Sequence, residues 1–344
     1  MVSKRLLIFD FLRLLAILLV VLSHVIRVGS LDIVRSYLGI IGLGVFFFVS
    51  GYLLAINEKP LSAHHIIPYL KKRCIRIYPL YWIALILSLL ISWLLAHYFY
   101  NWQTMVAYFC GLQSVFVPRY MIEISSYWFV GTILIYYLLY PVITCGRNIY
   151  SILFTSIAVF VFLMTIRIFA GLFDGRVFEY FFVFILGIVA SRLQFFDTKY
   201  FTKWKVLSAV VSLVCIGIVI FYGPVLPSDM SRINPWLLFK VGLVTIFRII
   251  LITSTIVAVY WLLTLSSPPS SVKRIVTAGA VASYAVYLFH DSYYIVLYHF
   301  TNLTDRAVLN VVAILALPIL FVPCYYIQVI ADRLLIKHQP VSPT

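Results

Sequence analysis

The chain has 344 residues, 64% of them hydrophobic and 11% charged, with a formal net charge of +15. A soluble domain carries about 25% charged residues, so this balance excludes a water-soluble globular protein. The excess of 26 basic over 11 acidic residues falls in no hydrophilic segment large enough for a nucleic-acid module; it reads as positive-inside topology and attraction to anionic lipid headgroups.

Ten apolar runs follow one another, at about 6–28, 38–56, 77–97, 126–145, 149–171, 177–194, 205–222, 238–265, 275–299 and 307–331. A helix needs about 20 residues to cross a bilayer, and lipid leaves backbone groups no partner outside the helix. The expected fold is an all-α polytopic membrane protein of about ten transmembrane helices, forming a single transmembrane domain over 1–344. The first run is too long for a signal-peptide core and lacks a small-residue cleavage site, so it reads as a retained span. The five cysteines show neither CxxC nor Cys/His ligand spacing, and no disulfide framework or metal site is expected. Of the 26 basic residues, 16 fall on the side of the N-terminus, 7 on the other and 3 within spans. That bias places both termini in the cytoplasm.

The first run, LLIFDFLRLLAILLVVLSHVIRV, carries Asp10, Arg13 and His24. A charge at membrane depth costs about 2.5–3.5 kcal/mol on insertion scales and often marks a polar path or site. Ten residues separate Arg13 from His24, so on a helix both face one way, about 16 Å apart along the axis. The competing reading is that each reaches the nearer interface. The second run contains GIIGLGVFFFVSGYLL, where Gly39, Gly42, Gly44 and Gly51 allow close helix approach and Ser50 and Tyr52 add hydroxyls. Next comes YLKKRCIRIYPLYW. Arg73 and Arg76, three apart, share a helix face and suit either a positive-inside anchor or a bidentate phosphate site. Pro79 is expected in the first turns of the third span, with Tyr81 and Trp82 at the interface. The loop 98–125 is long and partly apolar. Arg167 reads as snorkelling, and Arg248, deeper in its span, requires a partner or a wet cavity.

The ninth run contains SYAVYLFHDSYY and brings His290 and Asp291 to about the depth of His24. Adjacent residues on a helix point about 100° apart, so Asp291 need not partner His290. Pro318 and Pro323 are expected to bend the tenth span. Asn302 and Thr304 form a glycosylation sequon in a loop placed outside.

Taken together, these motifs resemble the membrane-bound acyltransferase 3 family. Asp10, Arg13 and His24 match its first helix, and Gly44 to Tyr52 its Gly-Val-aromatic run ending in Ser-Gly-Tyr. Arg73, Arg76, Pro79, Tyr81 and Trp82 match its Arg-x-x-Arg motif with the following Pro and aromatic pair. Ser283, Tyr284, Tyr287, Leu288 and His290 match its late Ser-Tyr-x-x-Tyr-Leu-x-His pattern. Trp128 is followed by FVGTILIYYLLYP, without the acidic residues of the lipopolysaccharide-acylating branch. The chain is therefore nearer the branch acting on exopolysaccharides and lipid-linked glycans, in its stand-alone form.

The resemblance implies an O-acyltransferase of the cell membrane. Its donor would be cytoplasmic acyl-CoA, with acetyl-CoA the expected form, and its acceptor a hydroxyl of a cell-envelope polysaccharide, glycan or lipid-linked sugar. Arg73 and Arg76, with Arg13, would bind the cofactor. His24 would act as general base or as acyl-accepting nucleophile, with Arg13 and His290 as further catalytic groups. Ser50, Tyr52, Tyr287 and Asp291 would contact substrate, and Asp10 is structural. The alternative is a transporter or flippase of a glycan or its lipid carrier, using the same buried polar residues as a path.

Overall fold

The structure is a computed structural model. It describes residues 2–25, 32–57, 63–120, 122–146, 148–197, 235–265, 268–301 and 306–336, with isolated positions between 207 and 214. Every described element is helical. In chain order they are α1 (Val2–Val25), α2 (Asp32–Asn57), α3 (Ala63–Ala96), α4 (Trp102–Phe109), α5 (Gln113–Tyr120), α6 (Trp128–Ile143), α7 (Ile149–Ala170) and α8 (Gly175–Arg192). α9 (Pro235–Leu265), α10 (Ser270–Thr301), α11 (Arg306–Leu315) and α12 (Leu317–Ile336) complete the series.

Seven described stretches are long and apolar enough to cross a membrane; they coincide with the first, second, third, fifth, eighth, ninth and tenth expected runs. The fourth run differs: α6 has 16 residues and begins only at Trp128, short of the usual span. The sixth corresponds to α8, which carries Arg176, Glu179 and Arg192 and is not among the seven. The run 205–222 falls largely outside the described residues, and the Asn302–Thr304 sequon wholly so. The tenth run breaks at Ala316, between α11 and α12, with Pro323 inside α12. The break falls where Pro318 removes a helical donor.

The chain divides into two compact units, residues 1–56 with 182–277, and residues 57–181 with 278–344. The divisions fall inside α8 and α10. In the first unit, α2 serves as the close-packing element. A Cβ on Gly42 would lie 2.7 Å from the Ala16 carbonyl oxygen and 2.9 Å from Val20 Cγ2 of α1. Gly39 faces Ser23, Gly44 faces Ile252 of α9 and Gly51 faces the Phe184 backbone of α8. The expected role of these glycines is met: without a hydrophobic drive between helices in lipid, small residues let dispersion contacts form. Phe9, Tyr52, Phe196 and Tyr260 complete this core as a run of ring contacts.

In the second unit, α3 is a 34-residue helix containing Pro68 and Pro79. It begins before the basic stretch, so Pro79 lies at mid-helix instead of in the first turns. The described residues of the segment 98–125 include the helices α4 and α5. The segment folds back along α3, and the carbonyl groups at the end of α4 accept from three aromatic donors of that helix. Tyr81 Oη donates to Tyr108 O (2.7 Å), Trp82 Nε1 to Phe109 O (3.0 Å) and Tyr78 Oη to Cys110 O (2.7 Å). These satisfy the orphan acceptors every helix C-terminus leaves. Ala96 lies fourteen positions beyond Trp82, so the chain returns about 21 Å along α3. Between α6 and α7, Asn148 Oδ1 caps the amide of Ser151 (2.6 Å), so these are separate helices. α7 ends at Gly171 in a left-handed conformation (φ 66°), which glycine adopts without strain.

Candidate active-site residues

His24 sits on the last turn of α1, in the first unit. Its Nδ1 lies 2.9 Å from Val20 O and 3.2 Å from Ser23 Oγ, while Ser23 Oγ donates to the same carbonyl at 2.6 Å. A carbonyl oxygen only accepts, so this network assigns the Nδ1 proton, and the neutral ring presents Nε2 as its basic nitrogen. Arg13 lies three turns back on the same unbroken helix. Asp10, one turn before Arg13, accepts from Thr277 Oγ1 of α10 at 3.3 Å. Arg248 of α9 is buried, 8% exposed. Ser50 is partly exposed on α2. Tyr52 is fully buried, with its ring 4.6 Å from Phe9 and 5.4 Å from Phe196.

The basic stretch lies on α3, in the second unit. The Arg73 guanidinium is placed over two tyrosine rings, 5.4 Å from that of Tyr69 and 5.6 Å from that of Tyr137 on α6. Tyr69 Oη donates to Tyr137 O at 3.2 Å, closing the seat. Arg76, one turn on, is exposed. Directly after it, Ile77 O accepts from Tyr284 Oη of α10 at 3.0 Å. One arginine is thus fixed and its neighbour faces outward.

His290 lies on α10 in the same unit and is 1% exposed. Its Nδ1 lies 2.6 Å from Tyr287 O, and its Nε2 lies 3.4 Å from Asp291 Oδ1. The two adjacent side chains therefore meet, although their Cβ directions diverge: the aspartate bends back around the helix. Its other oxygen, Oδ2, accepts from Ser126 N at 2.8 Å, and Tyr287 Oη donates to Ser126 O. Ser126 belongs to the 3₁₀ turn Ser125–Tyr127 that opens α6. Both Tyr287 and Asp291, read from sequence as substrate contacts, are engaged with this turn.

The turn is held from three other directions. Tyr127 Oη bonds Ala84 O (2.9 Å) and Leu288 O (3.2 Å), and Gln113 Nε2 donates to Tyr127 O (2.8 Å). Arg176 bonds Asp174 (2.6 Å) and Glu123 (2.8 Å), with its guanidinium 4.4 Å over the Trp128 ring. Burial works against the Arg176 charge, but the hydrogen bond and charge of Asp174, followed by Glu123, outweigh it and raise its pKa above the ordinary arginine value. Arg167 does not simply reach for an interface: it bonds Phe173 O and lies 5.7 Å from the centre of the Phe178 ring. The sequence reading missed Ser126, Tyr137 and Arg176. Ser126 enters these bonds through backbone groups; Tyr137 reaches Arg73 from a distant segment, and Arg176 pairs with nearby Asp174 but meets Glu123 and Trp128 only across the fold.

Described elements that are all helical, with seven stretches long and apolar enough to cross a membrane, define a multi-pass membrane protein. The family model described as "Acyltransferase domain" matches residues 6–331, and the chain belongs to that family, acyltransferase 3. It is thereby a membrane acyltransferase. No curated protein and no solved structure matches it.

Proposed function

We propose that the protein transfers an acyl group, acetyl in the first instance, from cytoplasmic acyl-CoA to a hydroxyl of a cell-surface glycan or lipid-linked sugar. The acceptor hydroxyl oxygen forms the new bond to the thioester carbonyl carbon, and His24 Nε2 takes the hydroxyl proton. The carbon–sulfur bond breaks, and CoA leaves as a thiolate that recovers a proton from the imidazolium. Arg73 and Arg76 hold the donor's phosphates. Arg13 supports the donor and the developing charge, and His290 stabilises the oxyanion or orients the acceptor. Ser50 lines the acceptor's path. The run after Trp128, which lacks acidic residues, supports the branch that acts on exopolysaccharides or lipid-linked glycans. The observation that carries this reading is the fixed tautomer of His24. Val20 O engages Nδ1, so the neutral ring keeps a basic Nε2.

The test uses the full chain in lipid with radiolabelled acetyl-CoA and envelope glycans. Label should enter glycan with the parent and fall at least about 100-fold with His24→Ala. Retained transfer in that variant would remove the base assignment. Label trapped on the protein at His24 after acid quench would make His24 a nucleophile instead. Glycan movement across the membrane without CoA binding would favour a flippase.

A further inference from the structure

Four contacts close on themselves in the second unit. Ser126 N donates to Asp291 Oδ2 (2.8 Å), and Asp291 Oδ1 meets His290 Nε2 (3.4 Å). His290 Nδ1 donates to Tyr287 O (2.6 Å), and Tyr287 Oη donates back to Ser126 O. Each member constrains the next. The last torsion of a histidine side chain is broad and nearly two-fold, so ring orientation depends on what its nitrogens touch. Tyr287 O alone fixes one nitrogen. The Asp291 carboxylate faces the other at 3.4 Å, an ion pair when the ring carries its second proton, and the Ser126 amide fixes Asp291 in turn.

We propose that Asp291 is a positioning residue. It orients the His290 ring and ties that orientation to the turn that opens α6, without itself contacting acceptor or donor. Ser126 acts as the anchor through its backbone amide and carbonyl. Tyr287 closes the circuit on the other side. The inference rests on the acyl-transfer reading, in which His290 acts on the acceptor or the oxyanion.

The chemistry of asparagine makes the test sharp. Asp291→Asn keeps an oxygen for the Ser126 amide and offers its NH₂ to the unprotonated Nε2 of the neutral ring, so it can orient that ring by a hydrogen bond in place of the ion pair. Asp291→Ala removes both contacts. In full-length protein in lipid, Asp291→Ala should lower kcat about tenfold or more with KM for acetyl-CoA unchanged, and Asp291→Asn should recover most of that loss. Parental kcat in Asp291→Ala overturns the proposal. So does a variant in which only the acceptor KM rises, which would make Asp291 a substrate contact, or an Asn variant as inactive as Ala, which would make the charge decisive. Should Asp291→Ala not fold, Tyr287→Phe serves. It cuts the bond to Ser126 O and leaves the carbonyl on His290, and kcat should fall without a change in donor KM; parental kcat there counts against the proposal. The ¹⁵N resonances of the His290 ring give a readout independent of turnover. They should move in Asp291→Ala, and unmoved resonances overturn the inference. If the parent transfers nothing, the acyl-transfer reading fails, and these resonances still test the positioning.

Discussion

Arg73 illustrates how a single side chain acquires a defined task. A lone arginine on a long helix samples many rotamers, and a phosphate contact made from that ensemble loses side-chain entropy. Here the guanidinium lies over the Tyr69 and Tyr137 rings, a cation–π arrangement worth about 0.5–2 kcal/mol. The seat pre-organises the planar fork that matches phosphate oxygens. Tyr137→Leu should therefore raise KM for acyl-CoA about three- to tenfold and leave kcat near the parent value. Steady-state kinetics with varied acyl-CoA checks this; an unchanged KM would place the donor elsewhere. The pairing of Arg73 with Arg76 was legible because spacing of three on a helix is a local property. The tyrosine seat was not, since Tyr137 comes from α6 and only folding brings it to α3. His24 lies between these cases. Its place on α1 was readable, and the Val20 carbonyl four residues back is local too, but a backbone acceptor leaves no mark in the side-chain pattern.

At the scale of elements, the segment between α3 and α6 departs furthest from what hydropathy suggests. An apolar stretch at 126–145 looks like a span, yet the helix begins at Trp128 and runs 16 residues, while α4 doubles back along α3. The aromatic residues Tyr81 and Trp82, expected as interface anchors, instead donate to the α4 carbonyls. Hydropathy counts apolar atoms and is blind to where a phenol or indole directs its one donor, so the fold-back could not be read in advance. The start of α6 is further fastened by Arg176, whose carboxylate partners differ in exposure: Asp174 is 12% exposed at its side chain and Glu123 43%. Breaking a buried pair costs about 3–5 kcal/mol and an exposed one much less. Arg176→Met should thus destabilise the protein by about 2 kcal/mol, most of it from leaving Asp174 uncompensated. Thermal unfolding in detergent measures this. Because the pKa of Arg176 is raised, its contribution is complete below the ordinary arginine range and is lost only as pH rises through the raised value. The stability difference between parent and Arg176→Met should therefore not shrink on the alkaline side of neutrality; a difference that vanished between pH 7 and 9 would contradict the assignment.

For the whole molecule, the number of crossings decides which side each end occupies. Seven described stretches can span a membrane. α6 and α8 flank α7 in sequence. If α6, α8 and the apolar run 205–222 also cross, as the sequence leads us to expect, the total is ten, and an even number of crossings puts both termini on one side. On that expectation 16 basic residues against 7 would put both ends in the cytoplasm, and the Arg73–Arg76 stretch would face the compartment where acyl-CoA is made. Topology and donor access are thereby the same prediction. A reporter active only in the cytoplasm should work when fused to either the N- or the C-terminus, and a cysteine placed at the exposed Lys72 position should react with a membrane-impermeant thiol reagent only after the membrane is opened, in a background without the native cysteines. Reporters that work at one end alone would mean an odd number of crossings. Labelling of position 72 in sealed cells would put the arginine pair outside, where a cytoplasmic thioester could not reach it, and would separate Arg73 and Arg76 from the donor altogether.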